Sequence, residues 1–378
     1  MTISIADVLP RREALLAELR ILVELESPST DKAAVDRLVA HVRSRARQLG
    51  ASIEEYPQQE YGDLTIASWP GQGNASAEPL LVLTHLDTVW PVGTLERRPF
   101  RIEGDLAFGP GIYDMKASIA MFLEAMRFLQ ERQLAHRPIR WLINTEEEVG
   151  SPVSRPLIED EARRCAVVFC LEPPAPGGAL KTARKGVGIF TVRITGRAAH
   201  AGADPERGVS AIQELANQIT YLHSLSDPTR GTTVNVGVVG GGTRSNVIAA
   251  EAWAKVDLRV VTQEEAERVT AAILGTRPWL RGATVQVHGG MNRPPMERTP
   301  AIARAFERAR AIAQELGLEI GEAATGGASD GNFTAALGLP TLDGLGCPGD
   351  GAHAEHEQVS IAGLIERTAF LTALLNRW

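Results

Sequence analysis

The chain is poor in thiols, in positive charge and in long apolar stretches, and each shortage removes a class of function. Only three cysteines, Cys165, Cys170 and Cys347, occur in 378 residues. Their spacing matches no thiolate metal site, so buried core thiols in a reducing compartment are expected. A net charge of -7 has the wrong sign for nucleic acid or an anionic membrane as the main partner. No apolar run reaches the ~18 residues needed to cross a bilayer. The first residues, Met1 to Asp7, lack a basic segment followed by an apolar one. No secretory signal is read there, and the cytoplasm is the expected compartment. Repeats, low-complexity tracts and long charge runs are also missing.

What is present is a soluble-enzyme composition, 44% hydrophobic and 22% charged, in a chain too long for one comfortable core. Two domains are therefore expected. Residues from about Ile5 to Leu22 and from Asp31 to Leu49 read as amphipathic helices, the second with Thr30 or Asp31 as N-cap and Gly50 as its stop. Leu80 to Leu83, Ile139 to Thr145 and Ala166 to Leu171 are short apolar runs, as in strands buried on both faces. A helix from about Lys116 to Gln130 falls between the first two. This alternation predicts an α/β domain with a mostly parallel sheet flanked by helices.

The rhythm changes near Gly186. Strands at Val187 to Thr195, Thr233 to Val239, Ala249 to Val260 and Ala283 to His288 surround helices at about Gly208 to Ser224 and Thr262 to Leu274. The run Gly240-Gly241-Gly242 reads as a hairpin turn, and Thr262-Gln263-Glu264-Glu265 as a capping box. The order β-α-β-β-α-β indicates a smaller, ferredoxin-like α+β domain. Helices at about Pro300 to Leu316 and Ile361 to Asn376 resume the first rhythm. The expected division is a catalytic domain in two parts, 1–186 and 295–378, with 187–294 inserted.

Polar donors stand at the ends of the apolar strands. His85 ends the first, Glu147 and Glu148 follow the second, and Glu172 ends the third. Ligands bind outside the carboxyl ends of strands in open parallel sheets. A lone histidine there is ordinarily a satisfied core residue. Asp87, two residues on, gives His85 a carboxylate able to accept the imidazole's second N–H, as beside zinc histidines. Glu146-Glu147-Glu148 are three adjacent carboxylates that repel one another unless cations compensate. One would bind metal and a neighbour would take a proton from bound water. Asp114 can cap the following helix and also bridge two metals. His353 lies in the glycine-rich loop Gly351-Ala352-His353, with His356 as a competing donor that spacing alone does not exclude. Nitrogen and oxygen donors without thiolate are the inventory of a two-zinc hydrolytic site with one spare carboxylate for acid–base work. His200 follows the first strand of the smaller domain. Asn246 and Arg259 lie in or beside its later strands, and Arg259 follows Asp257, with which it could simply pair.

In order, His-x-Asp at 85–87, Gly-x-x-Asp-Met-Lys at 111–116, Glu-Glu-x-Gly-Ser at 147–151, Glu-Pro at 172–173, Ala-His-Ala-Gly at 199–202 and Gly-x-His at 351–353 run through the chain. With these motifs the sequence resembles the di-zinc metallopeptidases that include acetylornithine deacetylase, succinyl-diaminopimelate desuccinylase, aminoacylase and glutamate carboxypeptidase. Residues Asn144 to Pro173 are most similar to the glutamate carboxypeptidase branch. The resemblance implies that Asp114 bridges two zinc ions (cobalt or manganese would suit similar donors). It implies His85 and Glu172 on one ion, and Glu148 and His353 on the other. Glu147 would be the general base, with Asp87 orienting His85 and a cis peptide at Asp114-Met115. The inserted domain would serve as lid and homodimer interface, with His200 reaching the partner subunit's active site to stabilise an oxyanion, Asn246 assisting and Arg259 clamping a substrate carboxylate. Glutamate at position 172 accompanies carboxypeptidases and deacylases of the family. The implied reaction is hydrolysis of an amide between an acyl or peptidyl group and a C-terminal amino acid, with N-acyl-amino-acid deacylation as the alternative. Lys181, Arg184, Lys185 and Arg293 could read an acidic side chain or be ordinary charges.

Overall fold

The computed structural model describes residues 3–73 and 77–378. Its two compact units comprise residues 1–182, 298–325 and 329–378, and residues 183–297 and 326–328.

In the first unit, the stretch expected to be one helix from Ile5 is broken. A single turn at Ile5–Val8 passes through a 3₁₀ turn, Leu9–Arg11, into α1, Arg12–Glu24. Pro10 explains the break, because its nitrogen carries no proton for an α-helical bond. Helix α2, Lys32–Gln48, is capped by the Asp31 side chain, which accepts from Ala34 N. Gly50, at φ 76°, lets the chain leave it. Strands β1 (Ser52–Tyr56), β2 (Leu64–Trp69) and β3 (Leu80–His85) follow. Next come α3 (Ala117–Glu131), β4 (Ile139–Asn144), α4 (Arg155–Ala162) and β5 (Val167–Cys170).

The second unit runs β6 (Gly186–Thr195), α5 (Ala211–Ser224), β7 (Thr233–Gly241), β8 (Glu251–Val260), α6 (Gln263–Leu274) and β9 (Thr284–Arg293). Its antiparallel sheet has the order β7-β8-β6-β9. Phe190, Val192 and Ile194 of β6 alternate inward to meet Leu215 and Leu222 of α5 and Val269 and Ile273 of α6. Two local expectations change. Gly240 and Gly241 are not the hairpin turn but paired residues of β7, opposite Trp253 and Ala252. A Cβ on Gly240 would come within 2.7–2.8 Å of the Trp253 indole, so glycine lets that ring lie against the strand. The capping box is half made. Thr262 accepts from Glu265 N, but the Glu265 carboxylate is taken by Arg230, Thr232 and Arg268.

The chain returns to the first unit with α7 (Pro300–Glu315), β10 (Thr341–Leu342) and α8 (Ile361–Arg377). The six-stranded sheet has the order β1-β2-β4-β3-β5-β10. Strands β4, β3, β5 and β10 are parallel, whereas β2 and β1 add an antiparallel edge. Strand β3 is buried along its whole length. Where α3 crosses the sheet, the Phe122 ring lies 4.7 Å from Trp141 and 5.9 Å edge-on to Trp69. All three cysteines are buried and free. No helix among the described residues is long and apolar enough to cross a membrane.

Candidate metal centre

Three parallel strands deliver donors at their carboxyl ends. His85 is the last residue of β3. The turn carrying Glu147 and Glu148 follows β4, and Glu172 lies two residues past β5. Two loops complete the group. Asp114 belongs to the turn before α3, and its peptide bond to Met115 is cis, as the resemblance implied. His353 has a left-handed backbone, φ 61°, in the loop that leads to α8.

Asp114 stands between the two histidines. Its Oδ1 lies 3.1 Å from His85 Nε2 and its Oδ2 lies 3.5 Å from His353 Nε2. On one side, His85 Nε2 is 3.5 Å from Glu172 Oε1. On the other, His353 Nε2 is 3.0–3.1 Å from both oxygens of Glu148. Ligands about 2.0–2.1 Å from a tetrahedral zinc lie about 3.3–3.4 Å from one another, so these separations suit a shared cation. One atom each from His85, Asp114 and Glu148 lies within 4.8 Å of the others, close enough to hold a metal ion. His356 is not part of the group; it is exposed, 3.7 Å from Asp350.

The cluster is short of positive charge. Burial opposes a charge on His85, yet hydrogen bonds to Asp114, Asp87 and Glu172 hold its pKa well above the usual value. Hydrogen bonds to Asp114 and Glu148 push His353 up to about 10. Burial resists ionisation of Asp114, but His353 and His85 hold it well below the carboxylate range. Burial raises Glu148. Protons on the two histidines thus sit where ligated cations would replace them.

Asp87 meets His85 through both its carbonyl and its carboxylate. His85 Nδ1 lies 3.0 Å from the main-chain carbonyl of Asp87 and 3.5 Å from its carboxylate. The carboxylate, fully buried, also accepts from Ser29 Oγ at 2.7 Å and from the Glu147 and Glu148 N–H groups at 3.1 Å each. The carbonyl is the nearer partner of His85 Nδ1, and the Asp87 carboxylate holds the glutamate turn as well. Glu146 turns away from its neighbours. It is buried, and its Oε1 accepts from Val153 N and Ser154 N at the start of α4. The acidic triple therefore contributes the Glu148 carboxylate to the centre and that of Glu146 to a helix end, with Glu147 between them in the turn.

The sequence reading missed Glu357. Its carboxylate is 1% exposed and accepts from Trp90 Nε1 (2.7 Å), Gly111 N (2.9 Å), Tyr113 N (3.0 Å) and Asp114 N (3.2 Å). It missed Asp330 as well, which takes Ser151 Oγ and Asn144 Nδ2, both at 2.6 Å, and braces the glutamate turn from below.

The candidates His200, Asn246, Arg259, Arg293 and Lys185 belong to the second unit. His200 is exposed, and its Nδ1 accepts from Gly202 N and Ala203 N at 3.0–3.1 Å. Its Nε2 therefore carries the proton in the neutral ring. Asn246 is adjacent, its carbonyl accepting from Ala201 N. Arg259 is paired with Asp257 at 2.9–3.2 Å. Arg293 is buried at the end of β9 and donates to Asn292 Oδ1. Lys185 Nζ is held by the Gly231 carbonyl at 2.6 Å.

Known proteins resemble this chain at several levels. It is 31% identical over 369 residues to carboxypeptidase G2 of a Pseudomonas species, covering 96% of this chain and 88% of that protein. Acetylornithine deacetylase of Proteus mirabilis is 32% identical over 227 residues, 56% of this chain and 57% of that protein. The crystal structure of an aminopeptidase from Bacillus cereus superimposes with a TM-score of 0.82 at 23% identity, over 97% of this chain and 98% of that one. That last likeness bears on the fold alone. The family model described as peptidase family M20/M25/M40 matches residues 81–377, and the chain belongs to that family of metallopeptidases.

Proposed function

We propose that this chain is a two-metal amidohydrolase that releases a C-terminal amino acid from an acyl or peptidyl group, as a glutamate carboxypeptidase does. The observation that carries the reading is Asp114 standing between two histidines, one carboxylate oxygen toward each. His85 and Glu172 would hold one ion, Glu148 and His353 the other, with Asp114 bridging. Zinc is the metal we infer, from nitrogen and oxygen donors at tetrahedral spacing. The chemistry that such ions would supply when bound is a lowered pKa for water, toward ~7, and polarisation of the scissile carbonyl.

The chain's own residues supply the rest. Glu147, beside the ligand Glu148, takes a proton from the water that adds to the carbonyl carbon. It returns that proton to the nitrogen as the C–N bond breaks. His200, with Nδ1 fixed as an acceptor, would offer Nε2–H to the oxyanion in the partner subunit's active site. Asn246 assists. Arg259 clamps the free carboxylate of the leaving amino acid, exchanging Asp257 for it, and Arg293 contributes positive charge. The second unit would be the lid and the dimer interface. Exposed Val238 and Val239 on its edge strand β7, each 53% accessible, support the latter.

Similarity to carboxypeptidase G2 along nearly the whole chain supports this reading over N-acyl-amino-acid deacylation. The partial match to acetylornithine deacetylase keeps deacylation as the second reading. Hydrolysis of an N-acyl amino-acid panel by zinc-reconstituted protein, beside Glu147→Ala, tests both. Cleavage that requires Glu147 and favours glutamate or aspartate with bulky acyl groups supports the carboxypeptidase reading. Cleavage confined to acetyl or succinyl donors favours the second, and no cleavage with metal bound removes the substrate class.

A further inference from the structure

Glu357 lies at the meeting point of three segments that carry candidate ligands. Trp90 follows His85 by five residues. Gly111, Tyr113 and Asp114 form the turn whose last member stands between the histidines. Glu357 itself lies four residues after His353. Two of the four donors on its carboxylate, Tyr113 N and Asp114 N, converge on Oε1, and the other two, Gly111 N and Trp90 Nε1, on Oε2. Three are main-chain groups, so the carboxylate fixes backbone rather than a side-chain rotamer.

A second contact ties the same segments. Arg98 lies over the Trp90 ring at 4.2 Å and donates to the carbonyl of Ala354, next to His353. The His353 loop is thus held from Trp90 twice, once through Glu357 and once through Arg98. A carboxylate is the one common side-chain group that accepts four such bonds while donating none.

We propose that Glu357 is a positioning residue of the metal centre: by gathering donors from the Asp114 turn and the Trp90 segment, it sets the separation between Asp114 and His353. The inference rests on the metal-centre reading above. Glutamine is nearly isosteric but must turn an NH₂ group toward two donors, either the Oε1 pair or the Oε2 pair. Those donors then lose their acceptor, and the Asp114 turn shifts against the His353 loop. Trp90→Phe removes one donor of the four and keeps an aromatic ring under Arg98.

The test is zinc binding by chelator competition on metal-free wild type, Glu357→Gln, Trp90→Phe and the core control Leu38→Ala, with melting of each metal-free protein. Wild type takes up zinc in the expected case. Glu357→Gln weakens at least one zinc by tenfold or more and Trp90→Phe by less, while Leu38→Ala lowers melting without changing zinc affinity. Should Glu357→Gln not fold, a threefold or greater loss in Trp90→Phe carries the same conclusion. Zinc affinities within twofold of wild type in both site variants would overturn the inference and leave the metal reading intact. An equal loss in Leu38→Ala would overturn it too, by making the effect one of general stability. Wild type that binds no zinc would remove the metal reading itself, and this inference with it.

Discussion

Asp87→Asn separates the two services this residue gives the centre, to His85 and to the glutamate turn. Its carboxylate accepts three hydrogen bonds in full burial, from Ser29 Oγ and from Glu147 N and Glu148 N. An amide keeps one oxygen. In its better orientation Nδ2 faces Ser29, whose hydroxyl can turn to accept, and only Glu148 N loses its partner. A buried donor left unsatisfied costs about 1–3 kcal/mol, and loss of charge on the surviving bonds adds roughly 1 kcal/mol. The net destabilisation is then about 2–4 kcal/mol, enough to lower melting measurably without unfolding a unit of this size. His85 is spared, because its Nδ1 rests on the Asp87 carbonyl, which the substitution keeps. The effect should appear in the glutamate turn. A shift of about 1 Å there costs on the order of 100-fold in kcat. Steady-state kinetics on the best panel substrate, zinc affinity and calorimetric melting form the assay. The expected result is a large fall in kcat, KM within a few-fold, and zinc affinity lowered on the Glu148 side only. Unchanged kcat, or loss of the zinc held by His85 with the other intact, would refute the reasoning.

Other perturbations have equally definite outcomes. Gly346→Ala places a Cβ 2.6 Å from the Leu171 carbonyl and 2.7 Å from that of Glu172; we expect at least about 3 kcal/mol of destabilisation and weaker zinc binding, both read on the purified variant. Dipicolinate should abolish hydrolysis and zinc or cobalt restore it, while circular dichroism shows a metal-free protein still folded. Unfolding on chelation would contradict a site whose histidines and carboxylates already pair. Glu265 is held at about 2, chiefly by Arg268 and then by Arg230 and Thr232, below its unfolded value near 4.5. Its contribution is therefore present above pH 4.5 and lost as pH falls toward 2. Glu265→Gln should melt lower than wild type at pH 7 and together with it at pH 2, by calorimetry.

The parallel strands and their terminal donors were legible because β3, β4 and β5 are unbroken apolar runs, and a polar residue at the end of such a run stands out. Helix α2 was legible through Asp31 and Gly50. The antiparallel edge was not: β1 reads Ser-Ile-Glu-Glu-Tyr, mostly exposed, and its polar character hides the strand. The three glutamates at 146–148 are chemically identical and adjacent. Only the turn after β4 decides that Glu146 serves α4 while Glu148 faces Asp114 and His353. Asp87 was paired with His85 from spacing, but local backbone geometry brings the carbonyl closer than the carboxylate. Glu357 and Asp330 left no local trace, since their partners lie 179–267 residues away in sequence. Acceptors whose donors lie so far along the chain carry no sequence pattern.

The central claim is that Asp114 bridges two metal ions. Anomalous diffraction from crystals of the zinc-loaded protein tests it most directly. The account predicts two zinc peaks about 3.5–4 Å apart, one beside His85 and Glu172 and the other beside His353 and Glu148, with an Asp114 oxygen on each. A single peak, or zinc bound away from Asp114, would contradict it.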